Sequence, residues 1–129
     1  MTDESSRYEQ GLAIRREVLG AEHVDRSLKS ASEFARPLQE LVTECCWGAV
    51  WSRPGLTRRE RSLVNLGILT ALNRQHELGV HVRGALTNGA SSEEIREVLV
   101  QAAVYCGMPA ALDACRTAEA ALEQHQRVG

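Results

Sequence analysis

A chain of 129 residues is long enough to bury a real core but too short for separate cofactor and substrate domains, so residues 1–129 read as one domain. A formal net charge of −2 argues against a nucleic-acid partner, even with Arg53, Arg58, Arg59 and Arg61 clustered locally. The longest apolar stretch, Leu63 to Leu72, contains Asn65, Gly67 and Thr70 and is too short to span a bilayer, and MTDESSRYEQ has no basic and apolar signal pattern; a soluble, cytoplasmic chain with no membrane partner is expected.

In chain order, Arg7 to Leu19 alternates charged and apolar residues at helical spacing and stops at Gly20. A short helical segment follows from His23 to Ser30. Ser32 to Val50 then puts Phe34, Leu38, Leu41, Val42, Cys45 and Trp47 on one helical face, and Pro54-Gly55 ends it. The pattern Thr57-Arg-Arg-Glu60 is a capping box that starts a helix running through the apolar stretch to about Leu72, which is expected to be the central buried helix. Asn73 caps the next helix, which ends at the Asn88-Gly89 signal. Ser91-Ser-Glu-Glu94 opens another helix to Cys106, Gly107-Met108-Pro109 breaks it, and Pro109 opens a last helix to about Gln124. No segment alternates with period two. The predicted fold is all-α.

Four cysteines fit a reducing compartment. Cys45 and Cys46 are adjacent and Cys106 and Cys115 are nine apart, so neither a CxxC pair nor zinc-ligand spacing exists, and the four are expected to be small buried hydrophobes. With no ligand-spaced cluster and no glycine-rich phosphate loop, neither a metal nor an organic cofactor is expected.

The helix from Asn73 to Asn88 carries the chemistry. At 100° per residue, Arg74, Glu77 and His81 fall within about 60° of one another beside the apolar stripe Leu78, Val82 and Ala85, so they are expected to face inward, while His76 and Arg83 point to solvent. An acid, a cation and an imidazole at the edge of a core cost desolvation energy, so such a trio serves either as a packing network or as a chemical site. Glu77, in the first turn, is favoured in its ionised form by the helix dipole. Arg61 is a candidate second anion clamp or an ordinary exposed arginine. Trp47 and Trp51, four apart, either wall a pocket or belong to a core or subunit interface.

The segments RYEQGLAIRREVLGAEHVDRSL, WGAVWSRPGLTRRERSLVNL, ALNRQHELGVHVRGALTNGASSEEIREVL and YCGMPAA resemble the 4-carboxymuconolactone decarboxylase family over nearly the whole chain, WGxxWxRPGL being specific to the decarboxylase branch. The wider superfamily is similar to the alkylhydroperoxidase AhpD, whose members carry CxxC followed four residues later by His. With His81 in that histidine's place, Arg74 and Glu77 take the two cysteine places, which excludes thiol redox chemistry there.

The resemblance implies an AhpD-like domain of about six helices, assembled as a homo-oligomer, trimer or hexamer, that decarboxylates 4-carboxymuconolactone to 3-oxoadipate enol-lactone in the β-ketoadipate pathway without a cofactor. Loss of CO2 from that small anionic lactone sends its electron pair through a double bond to the lactone carbonyl, so the substrate is its own electron sink. The protein must bind carboxylates, stabilise the developing oxyanion and supply a proton. In these roles His81 is the proton donor, Glu77 orients and charges the imidazole, and Arg74 pairs with a carboxylate. His23, in AEHVDRSL, matches the family pattern and could reach a neighbouring subunit's site; a lone histidine there is otherwise solvated.

Two departures stand out. After YCGMPAA the family continues with Asn and, four residues later, His, where this chain has Leu112 and Arg116; Glu44-Cys45-Cys46 replaces uncharged or basic residues before the first Trp. They leave open a paralogue acting on another lactone or a β-keto acid, in catabolism or biosynthesis. A thiol-dependent antioxidant and a non-catalytic helical assembly module are the readings from other classes, the former disfavoured by the lack of a cysteine near His81.

Overall fold

The structure, a computed structural model, describes residues 4–128. Among these the chain is helical throughout with no strand, as the sequence predicts, but with seven α-helices and a π-helical segment rather than about six helices. It divides into two compact units, Met1–Leu56 and Thr57–Gly129.

In the first unit, α1 (Glu4–Leu19), α2 (Ala21–Ser30) and α3 (Arg36–Leu41) lead into a π-helix over Val42–Val50. The expected continuous helix from Ser32 to Val50 is therefore corrected. A turn closed by Ala35 N–H on Ser32 precedes α3, Pro37 sits in its first turn, and the wider π spacing, closed by Trp51 N–H donating to the Cys46 carbonyl, shifts the buried phase. Thr43, Trp47, Gly48 and Trp51 are buried, whereas Phe34 is 96% exposed and Leu38, Leu41 and Cys45 are exposed too. Helix α1 and the π-helix lie backbone to backbone: a Cβ on Gly11 would run into the Thr43 carbonyl, and one on Gly48 would sit 2.6 Å from the Arg7 carbonyl. Ile14 and Val18 then pack on Trp47 and Trp51.

The second unit is a four-helix arrangement of α4 (Arg58–Ala71), α5 (Gln75–Thr87), α6 (Ser92–Cys106) and α7 (Met108–Val128), in which α4 and α7 each contact both α5 and α6. Both predicted capping boxes form. Thr57 and Ser91 accept from the backbone N–H of Glu60 and Glu94, whose carboxylates accept in return from the Thr57 and Ser91 N–H groups. Gly107 takes φ 102° at the end of α6, a left-handed conformation that a glycine reaches without the steric cost of a Cβ. Leu66, Leu78, Val82, Ile95 and Leu99 fill the core, and α7 offers them Ala114, Ala118 and Ala121.

Helix α4 is central, in contact with α5, α6 and α7, but the expectation that it is the buried helix is corrected in extent. Only its stripe Ser62, Leu66 and Thr70 is buried; Val64, Ile68 and Leu72 lie exposed, because α5 and α6 cover one side of the helix. Leu66→Ala should cost about 2–5 kcal/mol through lost burial and a residual cavity. Thr57→Ala should cost about 1 kcal/mol by removing the cap. Urea denaturation of the two variants beside the parent measures both, and equal costs would contradict the packing described.

Candidate active site

The α4–α5 corner decides where the predicted trio goes. Asn73 does not cap α5: it takes φ 58°, in the left-handed region where asparagine is tolerated, and Arg74 becomes the N-cap, with φ −98° and ψ 79°. Arg74 therefore lies outside the helical phase on which its shared stripe with Glu77 and His81 rested. It is exposed, as is Glu77 in the first turn, so neither faces inward as expected. Their exposure follows from the chain reversal, which turns the corner outward from the core. His81 is half-buried, and its Nδ1 is shielded from solvent. Of the residues expected on the solvent side, His76 is exposed and Arg83 is partly covered, donating to Gln124 on α7 at 2.9 Å.

Glu77 and His81 share their side of α5 with Gly84 and Asn88. Asn88 Nδ2 donates to the buried Ser62 hydroxyl at 2.9 Å and reaches the Arg58 carbonyl at 3.5 Å, so the end of α5 meets the start of α4 and the two helices run antiparallel. The sequence shows Asn88 only as a helix stop; a residue that both ends one helix and ties it to another carries no extra local signal. Arg61, on the first turns of α4, is half-buried with its Nε shielded. The second unit thus carries a carboxylate and an imidazole one turn apart on α5 and a partly sheltered guanidinium on α4, types suited to holding anions and moving a proton.

The remaining candidates belong to the first unit. Trp47 and Trp51 are buried and stacked, with ring centroids 4.7 Å apart and planes at 29°, which is the core arrangement. His23 is half-buried in the first turn of α2. Arg15, which the helical pattern of α1 leaves looking like any surface charge, is buried: it donates to Thr43 Oγ1 at 3.1 Å and Gln39 Oε1 at 3.0 Å. Arg116 is exposed and pairs with Asp113 at 2.9 Å. Among the described residues, no three His, Cys, Asp or Glu side chains are grouped as a metal ion would require.

The cysteines are not the buried hydrophobes expected. Cys45, Cys106 and Cys115 are exposed and Cys46 is half-buried, because the outer side of the π-helix, the last residue of α6 and the outer side of α7 all face solvent. Burial pushes the Cys46 thiol above the usual thiol range, outweighing the positive charge of Arg15 and a hydrogen bond with Trp51 that pull it down.

Comparison with known proteins identifies relatives of the chain. The profile of the carboxymuconolactone decarboxylase family matches residues 36–120. The chain is 49% identical over 107 residues to nitrosuccinic acid decarboxylase npaB of Metarhizium robertsii, covering 83% of this chain and 75% of the relative. It is 44% identical over 119 residues to the 4-carboxymuconolactone decarboxylase of Acinetobacter baylyi, covering 92% and 88%. A Paracoccus denitrificans protein of 15.0 kDa is 28% identical over 100 residues, 76% of this chain and 73% of its own.

A raised thiol pKa leaves less thiolate at neutral pH, so Cys46 should be the slowest of the four to react. With an aromatic disulfide reagent at neutral pH, peptide mapping should find Cys45, Cys106 and Cys115 modified first. Cys46 should gain rate only as pH rises beyond the ordinary thiol value of about 8.5. Fastest labelling at Cys46 would mean that the Arg15 charge outweighs burial.

Proposed function

Because the chain belongs to the carboxymuconolactone decarboxylase family, we propose that it is a cofactor-free carboxy-lyase whose substrate is 4-carboxymuconolactone, converted to 3-oxoadipate enol-lactone in aromatic catabolism. The observation that carries the reading is the half-buried His81 one helical turn after Glu77, in a chain 44% identical to a decarboxylase of that name. The family match runs across both units, which supports treating residues 1–129 as one catalytic domain.

The chemistry asks little beyond charge and one proton. Breaking the carbon–carboxylate bond releases CO2 and leaves an electron pair that conjugation carries to the lactone carbonyl oxygen; a proton then adds to the carbon beside that carbonyl and gives the enol-lactone, the ring staying closed throughout. In this reading His81 delivers the proton, Glu77 charges and orients the imidazole, and Arg61 and Arg74 hold carboxylates. The exposure of Arg74 and Glu77 makes them the outer part of the site, with His81 its inner part. Trp47 and Trp51 pack in the core of the first unit, and His23 is the alternative proton donor, reaching a neighbouring subunit's site.

A second substrate reading is favoured by the 49% identity to nitrosuccinic acid decarboxylase. A nitro group beside a carboxylated carbon accepts the departing electron pair as a nitronate, which is then protonated on carbon. The same apparatus serves both: two carboxylates to hold, an internal acceptor, and one proton to give. Leu112 and Arg116, where the family has Asn and His, are the departures that leave this choice to experiment.

Assembly as a homo-oligomer, trimer or hexamer, belongs to the same reading. Val64 and Ile68 on α4 and Val100, Val104 and Tyr105 on α6 are exposed, Tyr105 by 84%, and exposed apolar side chains of this size support an interface with further copies.

Incubation with each acid in D2O, followed by NMR, should show one substrate consumed with CO2 release and deuterium at the protonated carbon. His81→Gln should lower turnover by roughly 10²–10⁴ with little change in KM. Glu77→Gln should lose less, and His76→Gln, on the exposed side, should be nearly silent. Retention of activity by His81→Gln within about threefold, a change worth under 1 kcal/mol, would transfer the proton-donor role away from His81. Light scattering at micromolar concentration should give a multiple of the 14.2 kDa chain, and Val104→Glu should lower it; a parent that is monomeric removes the assembly from the reading.

A further inference from the structure

The start of α5 is built unlike the starts of α4 and α6. Those two helices open on reciprocal capping boxes, whereas α5 opens at Arg74 with no side-chain cap, directly after the left-handed Asn73. Uncapped first turns leave N–H groups without intrahelical partners and tend to fray. Backbone bonds from Asn73 and Arg74 to the Thr70 and Leu69 carbonyls join the corner to α4, and the side-chain contact that holds the first turn of α5 from outside comes from α7. The Thr117 hydroxyl donates to Gln75 Oε1, and Gln75 Nε2 donates to Asn73 Oδ1 at 2.8 Å. The Thr117 hydroxyl has one hydrogen; its other acceptor, the Asp113 carbonyl, lies farther away at 3.2 Å. One turn along, the Thr117 methyl lies over Gly79, 3.5 Å from where a Cβ would stand. Gln75 and Gly79 form the side of α5 that meets α7, roughly opposite the side that carries Glu77 and His81.

We propose that Thr117 and Gln75 are positioning residues for the Glu77–His81 stripe: the relay from Thr117 through Gln75 to Asn73 fixes the corner and the first turn of α5, and with them the angle at which the carboxylate and the imidazole face substrate. The inference rests on the reading of His81 as proton donor. With the Asn88 bond to Ser62 at its far end, α5 is tied at both termini, to α7 at one and to α4 at the other, and the stripe lies between the ties. Loosening of the corner and the first turn would let Glu77 shift against His81 while Leu78, Val82 and Ala85 keep the rest of α5 on the core, which is why the relay governs rate more than folding.

The test separates hydrogen bond from packing. Thr117→Val keeps the methyl over Gly79 and removes the hydroxyl; Thr117→Ser keeps the hydroxyl and removes the methyl. Thr117→Val should lower kcat about tenfold with KM changed by less than about twofold, since a small misplacement of reacting groups costs rate more than binding. It should also speed amide exchange in the first turn of α5 while leaving α6 unchanged. Thr117→Ser should stay within about twofold of the parent. Equal losses in the two variants, or an unaltered kcat in Thr117→Val, overturn the relay. If Thr117→Val does not fold, Gln75→Met removes the same link from the other side with the same expected loss. His81→Gln is measured in parallel: its collapse beside a silent Thr117→Val rejects the relay alone, whereas a fully active His81→Gln rejects the site and the relay's catalytic role with it.

Discussion

The second unit depends on α7 presenting very small side chains to the core. Ala114, Ala118 and Ala121 recur at helical spacing and are buried, so α7 brings its backbone close to its neighbours, and Leu78 and Val82 of α5 together with Ile95 and Leu99 of α6 fill the space. Close approach has a consequence for polar groups as well. A short threonine side chain on α7 can bond to Gln75 because Gly79 and the alanine stripe let the two backbones come together. Larger residues on that stripe would separate α5 from α7 before any polar contact could form.

With α7 on one side and α4 on the other, α5 has little freedom left, and Glu77 and His81 lie on the surface that remains. The core stripe Leu78, Val82 and Ala85 anchors the helix, and His81 sits at the boundary of that stripe, half-covered. A histidine at such an edge has a protein environment on one side and access to a ligand on the other. Glu77 lies a turn nearer the exposed corner, in the first turn of α5.

In the proposed function so sparse a site suffices, because the substrate carries its own acceptor. A lactone carbonyl in conjugation, or a nitro group beside the carboxylate, takes the electron pair that other decarboxylations send to a bound cofactor. The relatives named for 4-carboxymuconolactone and for nitrosuccinic acid differ in that acceptor and share the need for anion recognition and one proton. Substrate choice then falls to the side chains around the departing carboxylate.

The order of residues specifies whatever is settled within a turn or two of chain. The capping boxes at Thr57 and Ser91, the breaks at Gly20, Asn88-Gly89 and Gly107, and the absence of strands are all legible there, because caps and periodicity depend on neighbours three or four residues away. Glu77 and His81 were legible as a pair for the same reason. Tertiary structure decided the rest. Arg74 left the stripe because Asn73 went left-handed, the turn before α3 and the change to π spacing after it broke the single face that was to bury Phe34, Leu38 and Cys45, and α4 buried one side only. Arg15 went inside because Thr43 and Gln39, more than twenty residues on, supply acceptors, and Thr117 met Gln75 across 42 residues. Such pairings form when helices pack and local propensity does not encode them.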